Sequence, residues 1–497
     1  MNQGSSVVTK PGGGDTLPPP VANLITVEVT FSSKPATATA SFADMKYNKS
    51  AGLILVKDDG GIGDYSAVFP YLNGGSAVDG VTYPGVSYTD GCGKPVKWKY
   101  TFALVGQDTK GNDSHLGVNP TITSWTQYKQ IVQAGFSIAN HTLTHGAGTT
   151  FYDRLNQVKA NEKVIFDALQ YRTRTFVIPA NYEGLTETAV QLGYPFIGSQ
   201  FGAPSPDGNN DPGNVTINWN SRVKVNPLPS LKKLLVSRLN LGDNWTDTDV
   251  ANAKKFVDNL FTTSTGNTKY MGHAFSHGPT GAQQLANFAT LVQYIQSHPG
   301  NSDRTWIPGM QEFYEYYEVK ANVVQTQKLA NDKLLITLDL ATVNPNNRYR
   351  DMSLLVNSDA AIASVRVTGA DSSSYNSQTG LINIFSQKTK GFTDPALDAL
   401  PPQIKSVSTS KAAPNEVEVQ YDRAVTQSGI AGYTVAGKTI TGIRGLGLTW
   451  TLTLSDAITP GQSLTLDYRM QSGTAADAAD ATSRVCSYIA FPIANPL

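Results

Sequence analysis

From about residue 51 to 317 the chain alternates short apolar runs with amphipathic helical patterns, and this alternation constrains the fold more than any other feature. "GLILV", "YTFALVG", "GFSIANH", "TFVIPA", "YPFIGSQ" and "YMGHAFSH" have the length and content of buried strands. Between them, "YDRLNQVKANEKVIFDALQ" sets Leu155, Val158, Ile165 and Leu169 along one helical face. "GAQQLANFATLVQYIQSH" does the same with Leu285, Phe288, Leu291, Val292 and Ile295. Strands that read as continuous apolar runs are covered on both faces, so the pattern implies parallel strands wrapped by helices, in a barrel or a doubly wound sheet.

The flanks have a different texture, as expected for a chain of 497 residues, too long for one core. Residues 1–22, "MNQGSSVVTKPGGGDTLPPP" and two more, read as a Gly/Pro linker without the apolar centre of a signal peptide. The expectation is that a secretion leader has been removed and that the protein works outside the cytoplasm, secreted, periplasmic or on the cell surface. Residues 23–50 alternate apolar and polar side chains in "ITVEVTF" and "ATATASF", a short β element. Beyond "WIPGMQEFYEYYEV" the helical period ends, and "KLLITLDLA", "MSLLVNS" and "IASVRVTG" predict a β-sandwich module over residues 318–398. A joint marked by proline, "DPALDALPPQ", precedes a second over residues 402–497, with strands at "EVEVQY", "TWTLTLS" and "SLTLDY". Both are expected to be Ig-like.

Composition narrows the function. Lys plus Arg (39) equals Asp plus Glu (39), so no net field draws the protein to nucleic acid or an anionic membrane. Two cysteines, Cys92 and Cys486, supply neither a disulfide framework nor a thiolate zinc site. No run of 18 apolar residues exists to form a transmembrane helix.

Histidine is scarce, and four of the six fall in two close pairs: His141 and His145 in "ANHTLTH", His273 and His277 in "GHAFSHG". His115 and His298 lie in polar contexts and read as solvated. Imidazoles with a carboxylate suit Zn²⁺ and similar divalent metals. His141 ends the "GFSIAN" strand, and Asp58 and Asp59 end "LILV" in the same way. In a parallel barrel such ends meet on one face, where one aspartate can bind the metal while the other takes a proton from water. Without the histidines, "DDGG" reads as an ordinary turn.

In that order, "LILVKDDGG", "ANHTLTH", "FVIPANYEG" and a late strand ending in histidine resemble the polysaccharide deacetylases of carbohydrate esterase family 4, over about residues 51–317. The resemblance implies a distorted β/α barrel, a divalent metal (usually zinc) held by Asp59, His141 and His145, and Asp58 as general base. It also implies a histidine as general acid, matched by both His273 and His277; His277 is preferred because Gly278 and Pro279 end the strand there. The family's third motif carries an arginine two positions before its proline; here Val177 stands two before Pro179, and Asn181 or Tyr182 is a candidate to replace its contact. In "GDNWTD", Asp243 is placed to orient the acid and Trp245 to wall the acetyl pocket. The long stretch from Gly74 to Pro95 is a candidate rim over the site. Two functions follow. One is metal-dependent removal of acetyl groups from a polysaccharide (an N-acetylglucosamine polymer, peptidoglycan or acetylxylan). The other is a carbohydrate-binding or adhesion protein on the same barrel, with catalysis weakened by the missing arginine.

Overall fold

A computed structural model describes residues 23–148, 151–182, 184–200, 216–218, 221–226, 228, 234–398, 400–470, 472–481 and 483–496. The expected linker, 1–22, lies outside them. The chain opens with β1 (Leu24–Phe31) and β2 (Ala38–Phe42). The barrel strands follow: β3 (Ala51–Lys57), β4 (Thr101–Leu104), β5 (Ser137–Asn140), β6 (Thr175–Val177), β7 (Phe196–Gln200), β8 (Leu234–Asn240) and β9 (Tyr270–Ser276). Each neighbouring pair is parallel, β9 lies against β3 from Tyr270↔Ala51 to Ser276↔Lys57, and β8 meets β9 at Leu239↔Ala274. The seven strands thus close into a barrel, the first of the two arrangements the alternation allows. Every residue of β3 is buried, as a strand covered on both faces requires.

Around the barrel run α1 (Trp125–Gln133), α2 (Phe151–Leu169), α3 (Leu185–Gln191), α4 (Asp247–Thr263), α5 (Ala282–Ser297) and α6 (Met310–Asn322). The predicted apolar faces of α2 and α5 are buried throughout. Fully burying a Phe288 or a Leu285 contributes about 1.5–3 kcal/mol each. Capping boxes start two of the helices: Ser124 with Gln127 for α1, and Thr246 with Asp249 for α4. The second matters for function, because it fixes the loop ahead of α4. Gly242 turns there at φ 90°, where a Cβ would fall 2.0 Å from Asp249 Cγ.

The β strands after the barrel are β10 (Val324–Ala330), β11 (Lys333–Asp339), β12 (Met352–Ser358), β13 (Ile362–Thr368), β14 (Ser372–Asn376) and β15 (Leu381–Phe385). They form two four-stranded antiparallel sheets, ordered β10-β11-β1-β13 and β2-β12-β15-β14. The stretch 23–50 therefore does not stand as an element of its own: it gives one strand to each sheet, and its alternating Ile25, Val27, Val29 and Phe31 enter the same core as Leu334, Ile336 and Leu354. A two-strand element with one apolar face needs partners to bury it, and residues 318–398 supply them.

The last strands are β16 (Ile404–Ser410), β17 (Ala413–Thr426), β18 (Tyr433–Val435), β19 (Ile440–Leu454), β20 (Thr465–Tyr468) and β21 (Tyr488–Pro492). They make a β16-β17-β19 sheet and a β18-β20-β21 sheet. This module packs on the outside of the barrel, where Leu155 of α2 joins its core. Met470 in turn joins the cluster of Leu185 and Val190 of α3.

The stretch Gly74–Pro95 is not a rim over the strand C-termini. It precedes β4 and follows a helical turn that returns from β3, so it lies by the strand N-termini. There Asp90 is buried against the sandwich, accepting the Ser374 hydroxyl at 2.5 Å, while its carbonyl accepts Asn383 Nδ2 at 2.8 Å.

Candidate active site

β3 delivers its two aspartates in opposite directions. Asp58 is 1% exposed and turns into the barrel, while Asp59 takes φ +77° and turns outward, side chain 46% exposed. Gly60 continues at φ +73°, where a Cβ would fall 2.9 Å from His115 Cε1, so the second half of the "DDGG" turn requires glycine. Beneath it, Lys57 and Asp64 form a buried pair at 2.8 Å, and Tyr128 donates to Asp64 at 2.5 Å, anchoring both ends of the turn.

At the end of β5, Asn140 fixes the next loop. Its Nδ2 donates to Val158 O (2.7 Å) and its Oδ1 accepts Thr142 N (3.0 Å). His141 then sets Nδ1 2.8 Å from Val177 O. A carbonyl accepts only, so Nδ1 carries the hydrogen and the Nε2 lone pair is free. That Nε2 is buried without a hydrogen-bond partner, 3.4 Å from Asp59 Oδ1; His145 Nε2 lies 3.3 Å from the same oxygen. One ligand atom from each of the three residues fits within 4.8 Å of the others. Burial, then the neighbouring His141 ring, holds His145 below its ordinary pKa and favours the neutral imidazole that binds metal. Burial opposes the charge of Asp59, but the cluster of imidazoles beside it, His141 first and then His277 and His145, holds its carboxyl well below the usual range.

Asp58 has the partner the sequence lacked at Val177. Arg238, on β8, clasps it with two hydrogen bonds, Nη1 to Oδ1 at 2.8 Å and Nη2 to Oδ2 at 3.0 Å, both groups fully enclosed. Burial works against the Asp58 charge; the Arg238 guanidinium, then His141, outweighs it and holds the pKa below the ordinary value. Neither proposed substitute makes this contact: Asn181 accepts Gln200 N at 2.9 Å, and Tyr182 stands 41% exposed at the surface next to buried Pro179. The signal was present in "LLVSRLN". Leu234, Val236 and Arg238 share one strand face, and an arginine on an apolar face demands a buried carboxylate.

The late strand separates its two histidines. His277 lies past the end of β9 with Nε2 3.6 Å from Asp59 Oδ2 and Nδ1 2.6 Å from Asp243 Oδ1. Burial pulls its pKa down, and the Asp243 hydrogen bond with the Asp58 and Asp59 charges raises it above the ordinary value. His273 is enclosed in the barrel interior, its ring 5.5 Å from Phe196, and burial with the Arg238 charge keeps it neutral. Trp245 does not face the opening. It is buried, donates Nε1 to Ser276 Oγ at 3.2 Å and packs edge-on to Phe288, supporting the turn that carries His277. His115 is not solvated: its ring nitrogens lie 2.6 Å from Thr123 O and 2.9 Å from Val105 O. His298 is half-buried beside Phe261, with Nε2 3.1 Å from Asp258.

Six non-glycine residues around this face have left-handed backbone: Asp59, Thr142, His145, Ala180, Asn181 and Trp245. Each costs about 1–3 kcal/mol, a cost that concentrates where side chains must be aimed.

Residues 94–197 match the family model described as polysaccharide deacetylase. The matched span includes His141, His145 and Pro179 and leaves Asp58, Asp59 and His277 outside it. Among solved structures, the chain is similar to a family 4 carbohydrate esterase from Streptomyces lividans in complex with acetate, at 15% identity and TM-score 0.29, over 53% of this chain and 93% of that one. It is also similar to a peptidoglycan deacetylase from Bacillus subtilis, at 13% identity and TM-score 0.28, over 55% of this chain and 93% of that one. No curated protein matches the sequence. Among the described residues no helix is long and apolar enough to cross a membrane.

Proposed function

We propose that the protein is a metal-dependent deacetylase that hydrolyses acetyl groups from an acetylated polysaccharide outside the cytoplasm. The observation that carries this reading is the division of the two aspartates. Asp59 converges with His141 and His145 on one point, while Asp58 is held ionised beside it and off it. The donor set suits a divalent metal such as Zn²⁺, and the buried, unpartnered Nε2 of His141 is a lone pair that needs a ligand. Asp59, His141 and His145 would hold the ion, which when bound supplies Lewis-acid polarisation of an acetyl carbonyl and of water.

The side chains then divide the proton work. Asp58 accepts a proton from the attacking water as its oxygen bonds to the carbonyl carbon. His277, charged through its contact with Asp243, donates from Nε2 to the leaving nitrogen or oxygen as the C–N or C–O bond breaks. Asp243 holds Nδ1–H and so aims Nε2 at the site. His273, enclosed and neutral, takes no part. Asn181 and Tyr182, beside Pro179, border the opening from the β6 side and serve as substrate contacts.

In this reading residues 51–317 are the catalytic unit and the two flanking β modules are Ig-like spacers or carbohydrate-binding units. The binding-protein alternative drew on the missing arginine and on the large β-sandwich fraction; Arg238 removes the first of these grounds. Acetate release from chitin oligomers, peptidoglycan or acetylxylan, dependent on added zinc and lost in Asp58→Ala, tests the proposal. No acetate from any of the three with zinc present would overturn it.

A further inference from the structure

We propose that Arg238 is the positioning residue for Asp58, replacing an arginine on a different strand, and that Gly198 is the residue that makes this relocation fit. The inference rests on the deacetylase reading above and names what orients its base.

Three contacts fix the guanidinium. Nη1 and Nη2 take both oxygens of Asp58, Nε donates to Ser199 O at 3.3 Å, and the group lies 4.2 Å from the centre of the Phe275 ring. A planar fork tied at three edges cannot swing, so the carboxylate it grips has one orientation. Arg238 is 0% exposed and does not touch substrate; it acts through Asp58.

The route to Asp58 runs past Gly198. In the parallel register Val177, Gly198 and Val236 lie side by side on β6, β7 and β8. A Cβ at 198 would stand 2.8 Å from Arg238 Cδ and 3.0 Å from Nε. The missing side chain is thus a channel between two strands, open to an arginine entering from β8 at 238 or from β6 at 177. Only one of them is needed, and in this chain Val177 fills the β6 side with an apolar group buried in the core. Stability alone does not account for the pair, since a buried ion pair exchanged for apolar groups of like volume is often neutral or stabilising.

Steady-state acetate release from N-acetylated chitin oligomers, zinc titration calorimetry and crystal structures test this on Arg238→Met, Arg238→Lys, Gly198→Ala and the double variant Arg238→Val with Val177→Arg. Misplacing a reacting group costs on the order of 10²-fold. We expect kcat to fall by about that factor in Arg238→Met, with KM changed less than about twofold and zinc affinity kept. Arg238→Lys, which keeps the charge but loses the fork, and Gly198→Ala, which displaces it, should each fall about tenfold. The double variant should recover at least about tenfold over Arg238→Val. Arg238→Met with kcat within about threefold of wild type overturns the proposal, as does a fall in kcat matched by loss of zinc binding. If Arg238→Met does not fold, Arg238→Lys and Gly198→Ala decide by the same measures. If wild type releases no acetate, the functional reading fails, and the crystal structures decide the positioning claim: an Asp58 carboxylate unmoved in Arg238→Met overturns it, and one turned away supports it.

Discussion

The two ends of the barrel treat charge in opposite ways. At the strand N-termini, Lys46 is buried and donates to Glu312 at 2.7 Å and Asp351 at 2.6 Å, tying barrel to sandwich. Asp90 is closed off by Ser374 and by the backbone N–H groups of Cys92 and Lys94. At the C-termini, Asp59 and His145 stand half-exposed, His141 keeps an unpartnered nitrogen, and the backbone is left-handed at Asp59, Thr142 and His145. Charges at the lower end complete one another, while those at the upper end are aimed at something the protein itself does not supply. Burial does not distinguish the two ends, and neither does left-handed backbone, which also occurs at Tyr47 and Asn48 beside Lys46; the unspent lone pair of His141 does.

Exchanging the consequences of mutation between the ends would break this comparison. The largest effect is expected at the upper end. His141→Ala removes the buried lone pair and should abolish zinc binding by calorimetry, with acetate release down roughly 10³-fold or more, since a Lewis acid supplies several kcal/mol. Activity is to be read per folded molecule, because truncating a buried ring that donates to Val177 O also lowers the unfolding midpoint in urea. At the lower end Lys46→Met leaves two buried carboxylates unpaired and should cost about 3–5 kcal/mol by urea unfolding, with kcat per folded molecule unchanged. If Lys46→Met lost activity at full stability, the lower end would have a role in the reaction.

Legibility in the sequence followed the same division. The upper end was readable where side chains sit on strand termini in fixed order: Asp59, His141 and His145 converge, with Asp58 next to Asp59 in the chain, because parallel strands must end on one face. Arg238 was not legible from the motif position, Val177, because the barrel interior accepts a side chain from any inward-facing strand position near enough. The pairing of β1 and β2 with strands 300 residues later left no local trace. Alternation shows that a strand has an apolar face and says nothing about which sheet covers it.

His277 sharpens the comparison with a smaller effect. Burial lowers its pKa, Asp243 and the site aspartates raise it more, and a proton donor works only below that value, so activity should fall as pH rises through it. Asp243→Asn removes part of the raising influence. The alkaline limb of kcat should then move to lower pH while the acid limb stays, a shift that loss of fold would not produce. The pair's contribution to stability has the same sign: present below the histidine's unfolded value, lost as pH rises through the folded one.

The smallest effect is expected at the α4 cap, which joins local sequence to the site. Thr246 Oγ1 accepts Asp249 N at 3.3 Å, Asp249 returns a bond from Thr246 N at 2.7 Å, and Asp243 and Trp245 lie just ahead in the loop this cap holds. Thr246→Ala should lower stability by about 1 kcal/mol, read as a shift in urea midpoint. If the cap only starts a helix, the pH profile of kcat will match wild type. If it also fixes the loop, the alkaline limb will drift in the direction of Asp243→Asn, by less, because Asp243 will spend part of its time away from His277 Nδ1.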